Sequence, residues 1–429
     1  MLTAVTGLTW GDEGKEEILD LLVRQSGALV RCQGGCHSGF TVTAGSGGNF
    51  AFRLLPCGIR HPGVTNILGD GMVIDLDRLR HELSMAEYFH LHVNPDNLKL
   101  SERATICMPC HIRHDVLEEE QGTQGGMASV YSGKVRKKTL RLGDLLHLDE
   151  PSVQRRLRSV MEWENLILAK VYGQKPLSDE EALHWCRDQA AFFRPYITDT
   201  GEYLRLLHTL ARPIVMESQL GTLRDIDYGV FPDTAPFHTL GSCAAVGAGI
   251  PELSPDHIVG VIGASASCIG PGPFPAGKAV DRTWTARLNL RTWDTTAARL
   301  RRRGPFDGPA ARYGVQLQKP DQIVLTGLNA LSPMAEIPVV TGYRLDEREV
   351  NRFVPGPELE QMVPVTEFLP GWQKDLSGCT AWENLPREAK AYVRKLEGLL
   401  GSSVHLISVE PGGSCFPRKR GSWLYHQEG

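Results

Sequence analysis

The sequence predicts an α/β protein built on a large, mostly parallel central sheet with flanking helices, a helical insertion and smaller subdomains. Three observations predict it. The chain opens as strand, glycine loop and helix; short apolar runs then recur, each ending in a loop of Gly, Ser, Thr or Asn. One stretch, 151–212, differs, being rich in Arg, Leu, Glu and aromatics at helical spacing with few glycines.

The first strand is the buried run Leu2-Thr3-Ala4-Val5-Thr6-Gly7, followed by the loop Trp10-Gly11-Asp12-Glu13-Gly14-Lys15. Ile18, Leu19, Leu21, Leu22 and Val23 then carry helical periodicity. A glycine loop entering a helix N-terminus is the opening of a nucleotide-binding α/β unit. The second strand, Ala28-Leu29-Val30-Arg31, runs into Gln33-Gly34-Gly35-Cys36-His37-Ser38-Gly39. Further strands are expected at Asn66-Ile67-Leu68, Ile214-Val215-Met216, Ile258-Val259-Gly260-Val261-Ile262 and Gln322-Ile323-Val324-Leu325. In an open parallel sheet, ligands gather at the C-terminal ends of such strands. The chain reads as one domain over 1–429, interrupted by the insertion at about 151–212, with no internal repeat. The stretch from Gly412 onward, carrying Arg418-Lys419-Arg420, reads as a solvated basic tail.

Composition narrows the function. With 41% hydrophobic and 22% charged residues, the chain buries a sizeable core, which excludes wholesale disorder. A net charge of −4 argues against a whole-chain clamp on nucleic acid or on an anionic membrane. No run approaches a membrane span, and MLTAVTGLTWGDEGK lacks the features of a secretory leader. Ten cysteines in 429 residues are too few for a disulfide scaffold, so reduced thiols and a cytoplasmic location are expected.

The loop Gly11-Asp12-Glu13-Gly14-Lys15 holds the parts of a phosphate site. Its glycines let backbone N–H groups approach anionic oxygens, its lysine supplies a point charge, and its acids bind Mg²⁺ or take a proton. It lacks the Gly-x4-Gly-Lys-Ser/Thr of a Walker A loop, and as a bare pattern it is weak, reading more readily as a structural turn.

A longer set of motifs decides between those readings. Trp10–Lys15, then Arg31-x-Gln33-Gly34-Gly35 with Gly39-x-Thr41, resembles adenylosuccinate synthetase. Arg141-x-Gly143-Asp144-Leu145, Gly221-Thr222-Leu223, Asp225-Ile226-Asp227-x-Gly229, Gly270-x-Gly272-Pro273-Phe274-Pro275 and Leu369-Pro370-Gly371-Trp372 continue the pattern in order. The resemblance implies a P-loop NTPase-related fold. It also implies an enzyme of purine biosynthesis that joins aspartate to the 6-position of inosine 5′-monophosphate (IMP), with a nucleoside triphosphate and Mg²⁺. The partners it implies are small molecules and a second copy of the chain, a homodimer, with no nucleic acid and no membrane. By the same resemblance Asp12 is the catalytic base and a metal ligand, with the Gly39 carbonyl as a second metal ligand. Gly11, Glu13, Gly14, Lys15, Gly39, Phe40, Thr41, Thr326, Gly327 and Asn329 fall at nucleotide-binding positions. Thr123, Gln124, Lys137, Gln219, Ala235, Thr296, Arg299 and Arg301 fall at substrate-binding ones. Arg299 and Arg301 match arginines that grip substrate carboxylates, for which a guanidinium fork is suited.

The departures from the pattern are specific. Phe40 stands where the family has the histidine that assists the transferring phosphate, and phenylalanine has no proton to give. Either that step is lost or another group serves, the candidate being His37. The guanine-reading Thr-Lys-x-Asp is replaced by Thr326-Gly327-Leu328-Asn329. Asparagine offers one acceptor and one donor, which suits adenine, so the co-substrate is expected to be GTP or ATP. Glu16 and Glu17 place an acidic pair near the expected phosphates. Gly122-Thr123-Gln124-Gly125-Gly126-Met127 and Thr296-Ala297-Ala298-Arg299-Leu300-Arg301-Arg302 also diverge. The chain is therefore read as a divergent ligase, the alternatives being an altered purine or amine substrate and a nucleotide-binding homologue without turnover. A phage branch that starts from a guanine nucleotide replaces the acid at the Asp12 position, so Asp12 counts against that branch.

Cys107-Met108-Pro109-Cys110-His111 has the form of a c-type haem attachment site, and with Cys32, Cys36, His37 and His114 it admits a zinc site. Haem attachment requires an exported chain, and the resemblance places 105–117 in ordinary scaffold, so buried thiols are expected instead. Glu118-Glu119-Glu120 reads as a solvated helix face.

Overall fold

Each apolar run named above forms a strand. In this computed structural model, which describes residues 1–36, 39–43, 49–118, 125–288, 293–294, 299–410 and 413–418, Leu2–Gly7 and Ala28–Gly34 are buried along their whole length. Continuous burial on both faces is what a parallel strand covered by helices requires, and it explains the lack of polar alternation. The chain divides into two compact units, Met1–Leu2 with Ser26–Glu217 and Cys243–Ser254, and Thr3–Gln25 with Ser218–Ser242 and Pro255–Gly429.

In the first unit Ala28–Gly34 pairs in parallel with Ile214–Gly221 on one side and with Thr65–Asp75 on the other. Leu98–Ser101 and Ile197–Thr198 extend the row, also in parallel. The ladder to Thr65–Asp75 shifts register between Arg31 and Gln33, where the glycine-rich stretch begins. Arg31 is 1% exposed; its guanidinium lies 3.4 Å from Glu217 and donates to the carbonyls of Arg53 and Leu54. The buried Glu82 carboxylate accepts the N–H groups of Arg53, Leu54 and Leu55. These buried charges fix the backbone next to the hairpin Phe40–Thr43/Asn49–Phe52.

The expected helical insertion is mostly helical. Pro151–Lys170 starts with proline in its first turn, and Asp179–Phe193 starts with a Ser178/Glu181 capping box. Within that stretch, however, Ile197–Thr198 is the edge strand already described, before the helix Thr200–Thr209. Two residues carry no readable period.

In the second unit the strand Leu2–Gly7, from Thr3 on, His257–Gly263, Gln322–Thr326 and Leu406–Ser408 run parallel in that order, and Cys415–Pro417 closes the edge antiparallel with Phe416 buried, so this part of the expected solvated tail belongs to the sheet. A smaller sheet joins Phe306–Asp307, Glu336–Leu345, Arg348–Val350 and Val363–Pro370. Leu8, Ile323, Leu325, Ile337, Tyr392 and Leu396 lie in its main core. The sequence expectation of α/β architecture with mostly parallel strands and flanking helices holds. Among the described residues, no helix is long and apolar enough to cross a membrane.

Candidate active site

The loop after the first strand is built around its own carboxylate. Glu13 Oε1 accepts hydrogen bonds from Thr9 N–H, Thr9 Oγ–H and Gly11 N–H at 2.8–2.9 Å. Gly11 has φ 103° and passes so close to Leu220 that a Cβ would sit 2.4 Å from its Cα. Only glycine fits that approach. Lys15 opens the helix Lys15–Val23; its ammonium donates to Gly11 O at 2.9 Å and to Leu220 O at 2.7 Å. Thr326 Oγ–H donates to Glu13 O at 2.6 Å. Glu13, Lys15 and Thr326 therefore hold the loop's shape. Gly14 caps the helix in the left-handed region at φ 78° without a side-chain hydrogen bond.

Asp12 is the loop's part-exposed acid. Its Oδ2 accepts from Ser267 Oγ–H and lies 2.7 Å from the Arg301 guanidinium. Burial raises its pKa, and Arg301 and the Ser267 hydrogen bond oppose the rise. Arg303 stands close enough that Arg301 and burial together push its pKa down to about 10. Of the acidic pair after the loop, Glu17 is turned towards Ser408, whose hydroxyl donates to it at 2.7 Å, and burial raises its pKa.

In the first unit Gly34 is left-handed at φ 86°. Its N–H donates to Tyr131 Oη, which in turn donates to Gly71 O, so the helix Met127–Arg136 ties down the glycine-rich stretch. At Gly39 a Cβ would sit 1.8 Å from Phe52 O. Phe40 points inward: it is 3% exposed, stacks on Phe52 at 5.2 Å between ring centroids, and lies under the Arg60 guanidinium at 5.1 Å. Its ring is a packing element. Thr41 is exposed, as is Lys137, which ends the helix Met127–Arg136 in a left-handed turn. Gln219 and Ala235 are buried in the second unit. His37, Thr123, Gln124 and Thr296, and the side chain of Arg299, lie outside the described residues.

Comparison with known proteins decides the kinship. The family model described as adenylosuccinate synthetase matches residues 4–415. This chain belongs to the adenylosuccinate synthetase family. Adenylosuccinate synthetase of Carboxydothermus hydrogenoformans is 34% identical over 412 residues, covering 94% of this chain and 95% of that protein. The structure of fully ligated adenylosuccinate synthetase from Plasmodium falciparum is similar at TM-score 0.85 and 25% identity, covering 97% of this chain and 99% of that one. Cyanophage S-2L succinoaminodeoxyadenylate synthetase, solved with dGMP and dATP, shares the fold at TM-score 0.59 and 15% identity, covering 97% and 95%.

Asn329 is held by its neighbours. Gly327 is left-handed at φ 70°, and Asn329 follows in a single helical turn. The Asn329 amide nitrogen donates to Asp375 Oδ1 at 2.9 Å and to Glu410 Oε2 at 2.8 Å. Its carbonyl oxygen accepts from Ser332 Oγ–H and Leu376 N–H, each at 2.8 Å. The amide is thus engaged within the protein on both sides, and the carboxylates beside it are the acceptors. Asn329, Ser332, Pro333, Gln373, Lys374 and Asp375 line a cavity of about 310 Å³.

The Cys-x-x-Cys-His segment is buried scaffold, as expected. Donor atoms of Cys110, His111 and Glu164 lie within 4.8 Å of one another. His111 Nδ1 accepts the Met108 N–H at 3.0 Å, which leaves the proton on Nε2, facing Glu164 Oε1 at 3.8 Å. That tautomer has no lone pair left for a cation. His114 Nδ1 lies 2.9 Å from the other Glu164 oxygen. Burial pushes His111 down to about 4 and raises the Cys110 thiol, so His111 is neutral and the thiol protonated at pH 7.

Sequence reasoning missed Ser267, Arg303, Asp375 and Glu410. Arg303 continues the run Arg299-Leu300-Arg301-Arg302 and could have been read with it; Ser267, Asp375 and Glu410 sit in no quoted motif and reach their partners by folding.

Proposed function

We propose that this chain joins L-aspartate to the 6-position of IMP, or of a closely related 6-oxopurine nucleotide, with GTP as phosphoryl donor and Mg²⁺ as its metal. The observation that carries the reading is Asp12: a carboxylate on the family's loop, made more basic by burial, with Arg301 on one of its oxygens.

The 6-oxygen of a purinone is a poor leaving group, so it must be activated. Asp12 takes the N1 proton, electron density moves onto O6, and O6 attacks the γ-phosphorus. The new O6–P bond forms as the bridge to the β-phosphate breaks and GDP leaves. The aspartate amine then displaces phosphate at C6. Arg301 exchanges the Asp12 carboxylate for those of the incoming aspartate, to which its fork is suited. Lys15, held on two carbonyl oxygens, exchanges them for phosphate oxygens.

The donor chemistry suits Mg²⁺. Asp12 is a hard anionic oxygen donor of the kind that ion takes. When bound, the ion neutralises charge on the phosphoryl oxygens. GTP is favoured over ATP because Asp375 and Glu410, which flank Asn329, are acceptors only. Guanine offers N1–H and its 2-amino group side by side, whereas adenine offers one amine next to an acceptor. Family kinship also supports a cytoplasmic homodimer, with the exposed Lys137 offered across the interface.

The test is phosphate release by the purified protein with Mg²⁺, comparing GTP with ATP. Release that requires both aspartate and IMP is expected, faster with GTP. One observation favours a second reading, binding without turnover: the buried Phe40 ring cannot donate a proton. Nucleotide binding by thermal shift without phosphate release would decide for it.

A further inference from the structure

We propose that Ser267 is the positioning residue that sets the orientation of the Asp12 carboxylate. The inference rests on the reading of Asp12 as the base, and it follows from strand geometry.

Ser267 is the middle residue of the three-residue strand Ala266–Cys268, paired antiparallel with Arg302–Gly304 so that Ser267 faces Arg303 in register. Alternation along a strand sends its neighbours to the opposite face. Ala266 and Cys268 enter the apolar cluster of Trp10 and Phe274. Cys268 Sγ is also held by the guanidinium groups of Arg224 at 3.3 Å and Arg302 at 3.2 Å. The strand is thus anchored on one face, and Ser267, 7% exposed, is presented on the other.

The single hydroxyl proton of Ser267 is donated to Asp12 Oδ2, the same oxygen that meets Arg301. Two donors thus meet on Oδ2, and together they set how the carboxylate is turned. The two donors differ in what happens next. Arg301 has a competing partner in the carboxylates of aspartate; Ser267 has none and sits on an anchored strand. It therefore keeps the carboxylate rotamer after Arg301 has turned to substrate. Misplacement of a base by a fraction of an ångström is costly to chemistry and nearly neutral to binding.

The experiment compares wild type, Ser267→Ala and Ser267→Thr under Mg²⁺ with GTP, IMP and aspartate, and records the ligand-free melting temperature of each. Ser267→Ala is expected to lower kcat by about tenfold while the KM for aspartate stays within about twofold. Ser267→Thr, which keeps the hydroxyl, is expected to recover wild-type kcat. Wild-type kcat in Ser267→Ala, or a threonine variant as slow as the alanine variant, overturns the assignment. If the alanine variant melts early, Ser267→Cys decides: it keeps the volume, removes the strong donor, and is expected to be slow. A wild type without IMP- and aspartate-dependent release overturns the ligase reading and this role with it. A working wild type beside an equally fast Ser267→Ala overturns this role alone.

Discussion

Arg301 and Asp12 form an ion pair of 2.7 Å in which both side chains are about four-fifths buried. The pair joins the residue read as the base to the residue read as the carboxylate grip, so either function requires the pair to open. Arg301→Leu is expected to raise the KM for aspartate by at least about tenfold, and Arg301→Lys to do so less, because lysine keeps the charge and loses the fork. Initial rates against aspartate concentration check this. A fall in kcat with an unchanged aspartate KM would mean that Arg301 serves Asp12 rather than the substrate.

On the proposed reading, the carboxylates that Asn329 holds choose the triphosphate. Asp375 is ionised, its pKa lowered by the Ser377 hydroxyl and backbone N–H that donate to it. Asp375→Asn replaces an acceptor by a group that also donates, which opposes the donor–donor edge of guanine. The ratio of kcat/KM for GTP to that for ATP is expected to fall by about tenfold. An unchanged ratio would remove Asp375 from base recognition.

How much of this was legible depends on whether the information is local. The parallel strands were readable because burial on both faces writes a continuous apolar run, as in Ala28–Gly34. Ile197–Thr198 was not, since two residues are shorter than any period. Asp12 and Arg301 were readable within motifs. Ser267 reaches Asp12 across 255 residues, and Asp375 reaches Asn329 across 46, with no spacing rule to announce either. Phe40 shows what a motif leaves out. Its position in a motif suggested a ligand contact, whereas its partner twelve residues on, Phe52, makes it half of a cross-strand aromatic pair.

The buried His111 makes stability depend on pH. His111 has an ordinary value of 6.5, and burial takes it to about 4 in the folded chain. The unfolded chain therefore binds a proton that the folded chain refuses. That stability is fully present above pH 6.5 and is lost as the pH falls towards 4. One such group contributes a loss of about 2 kcal/mol between pH 7 and pH 5. Urea unfolding of wild type and His111→Gln at both pH values checks it, since other groups cancel in the comparison. Parallel pH dependences would show that His111 is not the group responsible.

Phe40→His tests whether the missing histidine of the family limits this chain. The substitution replaces a ring that is 3% exposed with a smaller, polar one. The new imidazole would lie against Phe52 and beneath the Arg60 guanidinium, where both desolvation and like charge oppose its protonation. A histidine that stays neutral cannot act as the acid. The cost of lost apolar contact and a buried polar edge is about 2 kcal/mol of stability. Phe40→Leu, which keeps an apolar side chain, should cost less. The expected result for Phe40→His is thus a lower urea midpoint with no gain in phosphate release. A strong rise in turnover would reverse the argument: it would mean that the hairpin opens the ring to the phosphoryl group during the reaction, and that proton donation at this position is what wild type lacks.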